Sequence, residues 1–345
     1  MITKIFDIDE NNIDENILYK AAELINDGQL VAFPTETVYG LGADGLNAQA
    51  CKKIFKAKGR PSDNPLILHI SDKSMLYNLS DDITDDAKKI MDICWPGPLT
   101  MILKKSSKVP DIVSAGLDTV AIRMPKNKIS LKLIELSNTP IAAPSANISG
   151  RPSPTRASDV MHDMENRISM IIDGGDAQIG IESTVIDLSE DIPTILRPGF
   201  FTYEYLKNIL PNIRLDDALI DEKSIPKSPG QKYKHYAPEA KVEVYVGNKA
   251  CEKMLEKANQ YENQDLKVGI LTFEESIEKF NDYYTLSLGN KDDLSTMSHV
   301  LFTYLRKMDS KEIDIIIAEG VEDNNLGKSI MNRMKKSASG NIYYI

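Results

Sequence analysis

Lys58 and Arg60 flank a single glycine, Asn64-Pro65 follows shortly after, and a Ser-x-Asn, Ser145 to Asn147, lies far downstream. Ahead of them runs Phe33-Pro-Thr-Glu-Thr-Val-Tyr-Gly-Leu-Gly-Ala-Asp44. These stretches place two fixed cations and several hydroxyl and amide donors among turn-forming residues, where charge has no packing role. A site that holds and polarises a polyphosphate needs those parts, fixed before charge builds on the phosphoryl oxygens. Arg grips phosphate with a rigid fork of donors, and Lys acts as a point charge. A plainer reading stands beside this one. Lys58 closes a helix, where cations suit the macrodipole, and Ser and Asn favour turns. Arg60 fits the plainer reading badly, because it lies past the helix beside Pro61. Both cations are expected at a loop edge, so replacing either should cost turnover rather than thermal stability. Ser145 has no His-Asp relay in the sequence, which argues against a nucleophilic serine.

The elements that must position these residues follow from periodicity. A buried strand ends at Leu30-Val31-Ala32-Phe33, a polar loop follows, a helix runs from about Ala48 to Lys58, and a strand covers Pro65 to Ile70. Loop and helix end therefore open onto one edge of a sheet, where α/β proteins usually bind ligands. Residues 14 to 27 read as a helix capped by Asp14 and ended by Gly28. Further strands are expected at 100–103, 120–123, 141–143, 170–173, 183–187 and 194–196, with helices near 84–94, 129–137 and 156–162. Gly40-Leu-Gly-Ala-Asp-Gly45 matches a dinucleotide fingerprint, but Pro34 to Tyr39 separate it from the strand. Its glycines are expected in tight turns. No P-loop motif occurs, so ATP binding of that type is not expected.

A chain of 345 residues suggests two domains. The expected division is 1–210, a mixed sheet with helices; 211–240, a linker rich in Pro, Asp and Lys; and 241–345. From Lys241 strands and helices alternate regularly, which implies a small doubly wound α/β (Rossmann-like) domain with parallel strands. No run approaches the apolar length of a membrane span, and the N-terminus is acidic, unlike a signal peptide. Cys51, Cys94 and Cys251 form no metal spacing or disulfide framework and read as small buried hydrophobes of a cytoplasmic protein. The net charge of −10 argues against broad, charge-driven nucleic-acid binding, while leaving room for a local basic pocket.

"FPTETVYGLGAD", "KAKGRPSDNPLILHI", "CWPGPLT", "VAIRMP", "APSANISGRPSPT", "IESTVID" and "ILRPG" occur in the order found in the YrdC-like family, and "SPGQKYKHYAP" at 228 to 238 resembles its longer, two-domain form. The resemblance covers nearly the whole chain. It implies the YrdC-like twisted mixed sheet. It also implies synthesis of threonylcarbamoyl-AMP and pyrophosphate from L-threonine, bicarbonate and ATP. The product would pass to a separate transferase that modifies the adenosine beside a tRNA anticodon. Lys58, Arg60, Ser145 and Asn147 would surround the triphosphate. Thr35, Thr37, His69, Arg123, Ala143 and Ser183 would form the threonine pocket, with Arg123 fixing the α-carboxylate. Asn64, Thr119, Ser153 and Arg197 would add nucleotide contacts beside Arg60 and Ser145. Mg²⁺ would be held mainly by the triphosphate, since no carboxylate cage is visible. Taken alone, His69 in an apolar strand is more often a satisfied core residue. Residues 228–238 load a linker with aromatic rings, as a docking segment would. The resemblance makes them a lid in which Tyr233 or Tyr236 meets the nucleotide. Gln231 stands where the family pattern suggests Met. Two rivals differ in class. Lys52, Lys53, Lys56, Lys58 and Arg60 could serve a double-stranded RNA-binding module, against which the net acidity counts. A hydrogenase-maturing carbamoyltransferase should carry Cys-rich segments, which this chain lacks.

Overall fold

The computed structural model describes residues 2–220 and 236–345, which separate into two compact units. The first comprises residues 2–149, 153–178 and 182–220; the second takes 150–152, 179–181 and 236–345.

The first unit carries a mixed twelve-stranded sheet. Its order is Lys4–Asp7, Met170–Asp173, Val31–Phe33, Gly40–Asp44, Ile141–Ala142, Ile67–His69, Thr119–Arg123, Leu99–Lys105, Thr184–Asp187, Thr194–Arg197 and Arg214–Leu215, with Ser80–Asp82 paired to Leu99–Lys105. Helix Glu15–Asn26 begins where Asp14 accepts a hydrogen bond from the Asn16 amide, and its Leu18, Ala21 and Ile25 pack with Ile129 and Leu133 of helix Lys128–Ser137 against Val31 and Ile172. Helix Ala48–Lys58 starts at an Asn47 cap and buries Ala50, Cys51 and Ile54 with Leu41, Leu68 and Ile122. A separate apolar strip, Ile102, Ala121, Val185 and Leu196 with Ile67, crosses the middle strands.

Three expectations are corrected here. Gly40–Asp44 is a central strand, antiparallel to both Val31–Phe33 and Ile141–Ala142. Its glycines serve close packing rather than turns: a Cβ on Gly42 would lie 2.8 Å from Ile141 Cγ2 and Phe33 Cε1. Lys4–Asp7, read as no element, is the edge strand beside Met170–Asp173. Within the stretch read as a linker, Arg214–Leu215 adds a strand and Asp217–Ile220 a short helix.

The second unit holds five parallel strands in the order Tyr284–Ser287, Val268–Thr272, Ile315–Glu319, Lys241–Val246 and Ile342–Tyr344. Alternating helices, among them Ala250–Glu262, Leu294–Ser310 and Asn325–Ser337, give the expected doubly wound pattern. Residues 274–280 form a 3₁₀ helix within that alternation, and Ile342–Tyr344 adds a last strand. Two buried carboxylates sit in this sheet. Glu243 accepts from Lys241, Tyr245 and Tyr261, and Glu319 accepts from Thr272 and Lys291. The short stretches from earlier in the chain are tied in by Arg306, which donates to the Pro152 carbonyl at 2.6 Å, and by Ser298, which donates to that of Ile179 at 2.7 Å. No described helix is long and apolar enough to cross a membrane.

Candidate active site

Lys58 is the last residue of its helix, and Gly59 closes it in the left-handed conformation, φ 61°, which only glycine adopts cheaply. The Lys58 side chain is 1% exposed. Its Nζ donates to the carbonyl oxygens of Ser145 and, at 2.7 Å, Asn147. The Ser145 hydroxyl donates to Asn147 Oδ1. Lys58, Ser145 and Asn147, three of the four residues expected around a triphosphate, thus form one cluster. The expected loop edge is corrected: Lys58 is an interior clamp on the Ser-x-Asn loop. That burial also withdraws it from the basic cluster that an RNA duplex would need. The loop is pinned from its other side by the Ala146 amide, which donates to the Tyr39 carbonyl at 2.9 Å, and by the Leu41 amide, which donates to that of Pro144.

Arg60 is half-buried and donates through Nη2 to the Pro65 carbonyl at 3.2 Å. Asn64 is buried, and its Nδ2 has no hydrogen-bond partner among the described residues. Ile67 pairs with Ala121 in parallel register, so the same register sets Pro65 beside Thr119. Arg60, Asn64 and Thr119 therefore gather at one end of two neighbouring strands. His69 pairs with Arg123 at the other end. Four residues of strand separate the groups, about 13 Å. Thr119, Ala121 and Arg123 alternate onto one face, so the candidate residues span a sheet face rather than the edge expected from the sequence.

His69, Arg123, Thr100 and Val185 are successive partners across four strands, and Arg197 pairs with Val185. Directly opposed residues share a face. Arg123 Nη1 donates to the Thr37 hydroxyl at 2.9 Å, and Thr37 bonds the Thr35 hydroxyl at 2.9 Å. Thr35 donates to the Val38 carbonyl and accepts from the Val38 amide, which folds the loop after Phe33 into a turn. Thr100 shares a 2.8 Å hydrogen bond with Ser183, and Arg197 donates to the Ser183 hydroxyl and carbonyl. The Ala143 amide donates to the Ile67 carbonyl, placing a methyl-sized wall beside this row. Five of the six expected threonine-pocket residues, all but Ala143, thus join the same polar row, and Arg197 joins them through Ser183. Ser153, expected as a nucleotide contact, donates to Glu182, the residue before Ser183.

His69 is fully desolvated, and burial followed by the Arg123 charge pushes its pKa down to about 3. It is a neutral imidazole, in edge-to-face contact with Phe33 at 6.3 Å. Its Nδ1–H donates to the Ile67 carbonyl at 3.2 Å, which leaves Nε2 to accept one hydrogen bond from a substrate without adding charge.

Glu36 and Thr100 were missed. Glu36 lies buried between the two threonines, 2.8 Å from Arg123 Nη2. Its signal in sequence is an acid inserted directly after a buried strand. Thr100 had no signal beyond a hydroxyl in an apolar run. Tyr233 lies outside the described residues. Tyr236 belongs to the second unit, buried with its ring 5.0 Å from that of Phe302 and φ at 63°. No group of three His, Cys, Asp or Glu suited to a metal occurs among the described residues.

Residues 23–199 match the Sua5–YciO–YrdC family model, described as telomere recombination, and residues 201–339 match the C-terminal domain of threonylcarbamoyl-AMP synthase. The chain is 45% identical over 335 residues to a Bacillus subtilis protein named threonylcarbamoyl-AMP synthase, covering 97% of this chain and 96% of the relative. It is 47% identical over 333 residues to the Pyrococcus abyssi protein of the same name, covering 96% of each. Among solved structures, P. abyssi Sua5 complexed with L-threonine superposes with a TM-score of 0.94 at 45% identity, covering 99% of this chain and 100% of that one.

Proposed function

The chain belongs to the Sua5–YciO–YrdC family, in the form that carries the Sua5 C-terminal domain, and from that premise we propose how its residues divide the work. It is a threonylcarbamoyl-AMP synthase, an ATP-using nucleotidyltransferase of tRNA modification. The observation that carries the division is the pair of strand ends. His69 and Arg123 stand at one end, Arg60, Asn64 and Thr119 at the other, with an apolar strip between. That length suits an aminoacyl group joined to a nucleotide. Arg123 takes the α-carboxylate, Thr35, Thr37, His69 and Ser183 surround the threonine side chain and amine, and Ala143 limits its size. Arg60 and Asn64 meet the phosphates, with Thr119, Ser153 and Arg197 as further nucleotide contacts. Lys58 fixes Ser145 and Asn147 and, through them, the loop that faces the triphosphate.

Bicarbonate supplies the carbamoyl carbon in this reading. The carbamate oxygen attacks the α-phosphorus, and pyrophosphate leaves. Charge building on the phosphoryl oxygens is met by donors already in place. Mg²⁺ fits as an ion carried by the triphosphate: the neutral oxygens of Ser145 and Asn147 suit a hard cation's outer positions, and the described residues offer no carboxylate cage. The metal would supply charge neutralisation on those oxygens. In the aromatic segment at 228–238, Tyr233 or Tyr236 would contact the bound nucleotide. The enzyme would work in the cytoplasm and pass its product to a separate transferase.

Mass spectrometry of the product from threonine, bicarbonate and ATP tests the reading. The adduct of threonine, one carboxyl carbon and AMP is expected, in step with pyrophosphate. Pyrophosphate release at the same rate without threonine would overturn it.

A further inference from the structure

The Glu36–Arg123 pair is an ion pair with its hydrogen-bonding capacity left open. The two side chains are 6% and 5% exposed, and Glu36 Oε1 lies 2.8 Å from Arg123 Nη2. Yet neither Glu36 oxygen, nor Arg123 Nε or Nη2, has an aligned hydrogen bond among the described residues. Buried charged groups are normally saturated, because leaving them unsatisfied is costly. Nε and Nη2 form one edge of the guanidinium, the two-pronged donor that fits a carboxylate. The open acceptors beside that edge belong to a carboxylate, which fits an ammonium. The complement of this arrangement is the zwitterionic head of an α-amino acid.

We propose that Glu36 binds the α-ammonium of threonine and is the base that removes its proton before the amine is carboxylated. The proposal rests on the synthase reading and adds a catalytic residue to it. With the substrate carboxylate on the Arg123 edge, the α-nitrogen is two bonds from the carboxylate oxygens' carbon and falls beside Glu36. An ammonium has no lone pair and cannot attack bicarbonate. In the first step one N–H bond breaks, its electrons stay on nitrogen, and the proton goes to Glu36. In the second the amine nitrogen bonds to the bicarbonate carbon and the C–OH bond breaks. The departing hydroxide takes one proton from that nitrogen and leaves as water, giving the N-carboxylate. Glu36 returns its proton to solvent when the site opens. His69 is a poorer candidate, since burial and the Arg123 charge oppose its protonation.

The test compares two ligands and two pH profiles in the full chain. 3-Hydroxybutyrate keeps threonine's carboxylate and hydroxyl but has hydrogen in place of the amine. Glu36→Gln should weaken threonine binding at least about tenfold more than 3-hydroxybutyrate binding, since only threonine has the ammonium that Glu36 holds. Pyrophosphate release at pH 7 should fall by about 10²-fold or more, the scale for losing a general base. The variant's rate should then climb about tenfold per pH unit toward the ordinary amine range, while the wild type changes less. Glu36→Asp keeps the charge beside Arg123 and should show the same bias against threonine, which covers the case where the Gln variant does not fold. Equal weakening of both ligands, with pH profiles parallel to wild type, would mean that Glu36 only holds Arg123 in place, and the proposal would be wrong. A wild-type enzyme with no threonine-dependent pyrophosphate release would instead sink the synthase reading, while the ligand comparison would still report on the pocket.

Discussion

At the scale of single residues, Lys58 and Arg60 should separate although they are two positions apart. Lys58→Ala removes a buried donor and orphans the Ser145 and Asn147 carbonyls, a loss of about 1–3 kcal/mol. Its melting temperature and turnover should fall together. Arg60 is half-buried, so Arg60→Ala should keep nearly wild-type stability and lose about 10²-fold in turnover. Thermal melts paired with pyrophosphate assays decide this; a Lys58→Ala protein as stable as wild type would refute the clamp. His69 gives a second test. Its folded pKa of about 3 lies below the unfolded value of about 6.5, so between these the unfolded chain binds more protons. The stability tied to His69 is therefore fully present above pH 6.5 and lost as pH falls toward 3. His69→Gln should show a shallower drop in melting temperature from pH 7 to pH 4.5 than wild type. Equal drops would mean that His69 is not held neutral.

At the scale of elements, Gly42 carries the clearest expectation. Gly42→Ala pushes a methyl into Ile141 and Phe33 in the middle of the sheet, at about 1–3 kcal/mol. Urea unfolding should show it as a lower midpoint with an unchanged slope, and a wild-type midpoint would show that the neighbours yield freely. The same glycine explains where the sequence misled. Apolar runs bounded by turn residues, such as Pro65 to Ile70 or Met170 to Asp173, announce strands locally. Gly-Leu-Gly-Ala-Asp does not, because its strand character comes from Phe33 and Ile141 pressing on bare backbone. The helix ending at Lys58 was equally plain, and Asn47 and Gly59 cap it at the two ends. The burial of Lys58 was not, since it depends on two carbonyls far along the chain. The site shows the same division. The types and order of Thr35, Thr37, His69, Arg123 and Ser183 marked a pocket, through family resemblance. Their gathering into one row with Thr100 and Glu36 required strand register, which no local pattern contains.

At the scale of the whole molecule, the second unit is discontinuous in sequence. Cutting the chain at residue 224 would remove Ser298 and Arg306 and leave the Ile179 and Pro152 carbonyls without those donors. The N-terminal fragment should still fold around its own core, with a lower urea midpoint than the intact protein and impaired synthesis. A fragment with full activity and stability would show that residues 225–345 are dispensable to the first unit. The discontinuity also sets a clock. Residues 150–152 and 179–181 leave the ribosome long before their partners on helix Leu294–Ser310 exist. At about 5–20 residues per second the wait is on the order of ten seconds. The sheet closes later still, because Ile342–Tyr344, the edge strand beside Lys241–Val246, follows every other strand of the second unit in sequence. The first unit can thus have every strand of its sheet in hand while the second still lacks an edge.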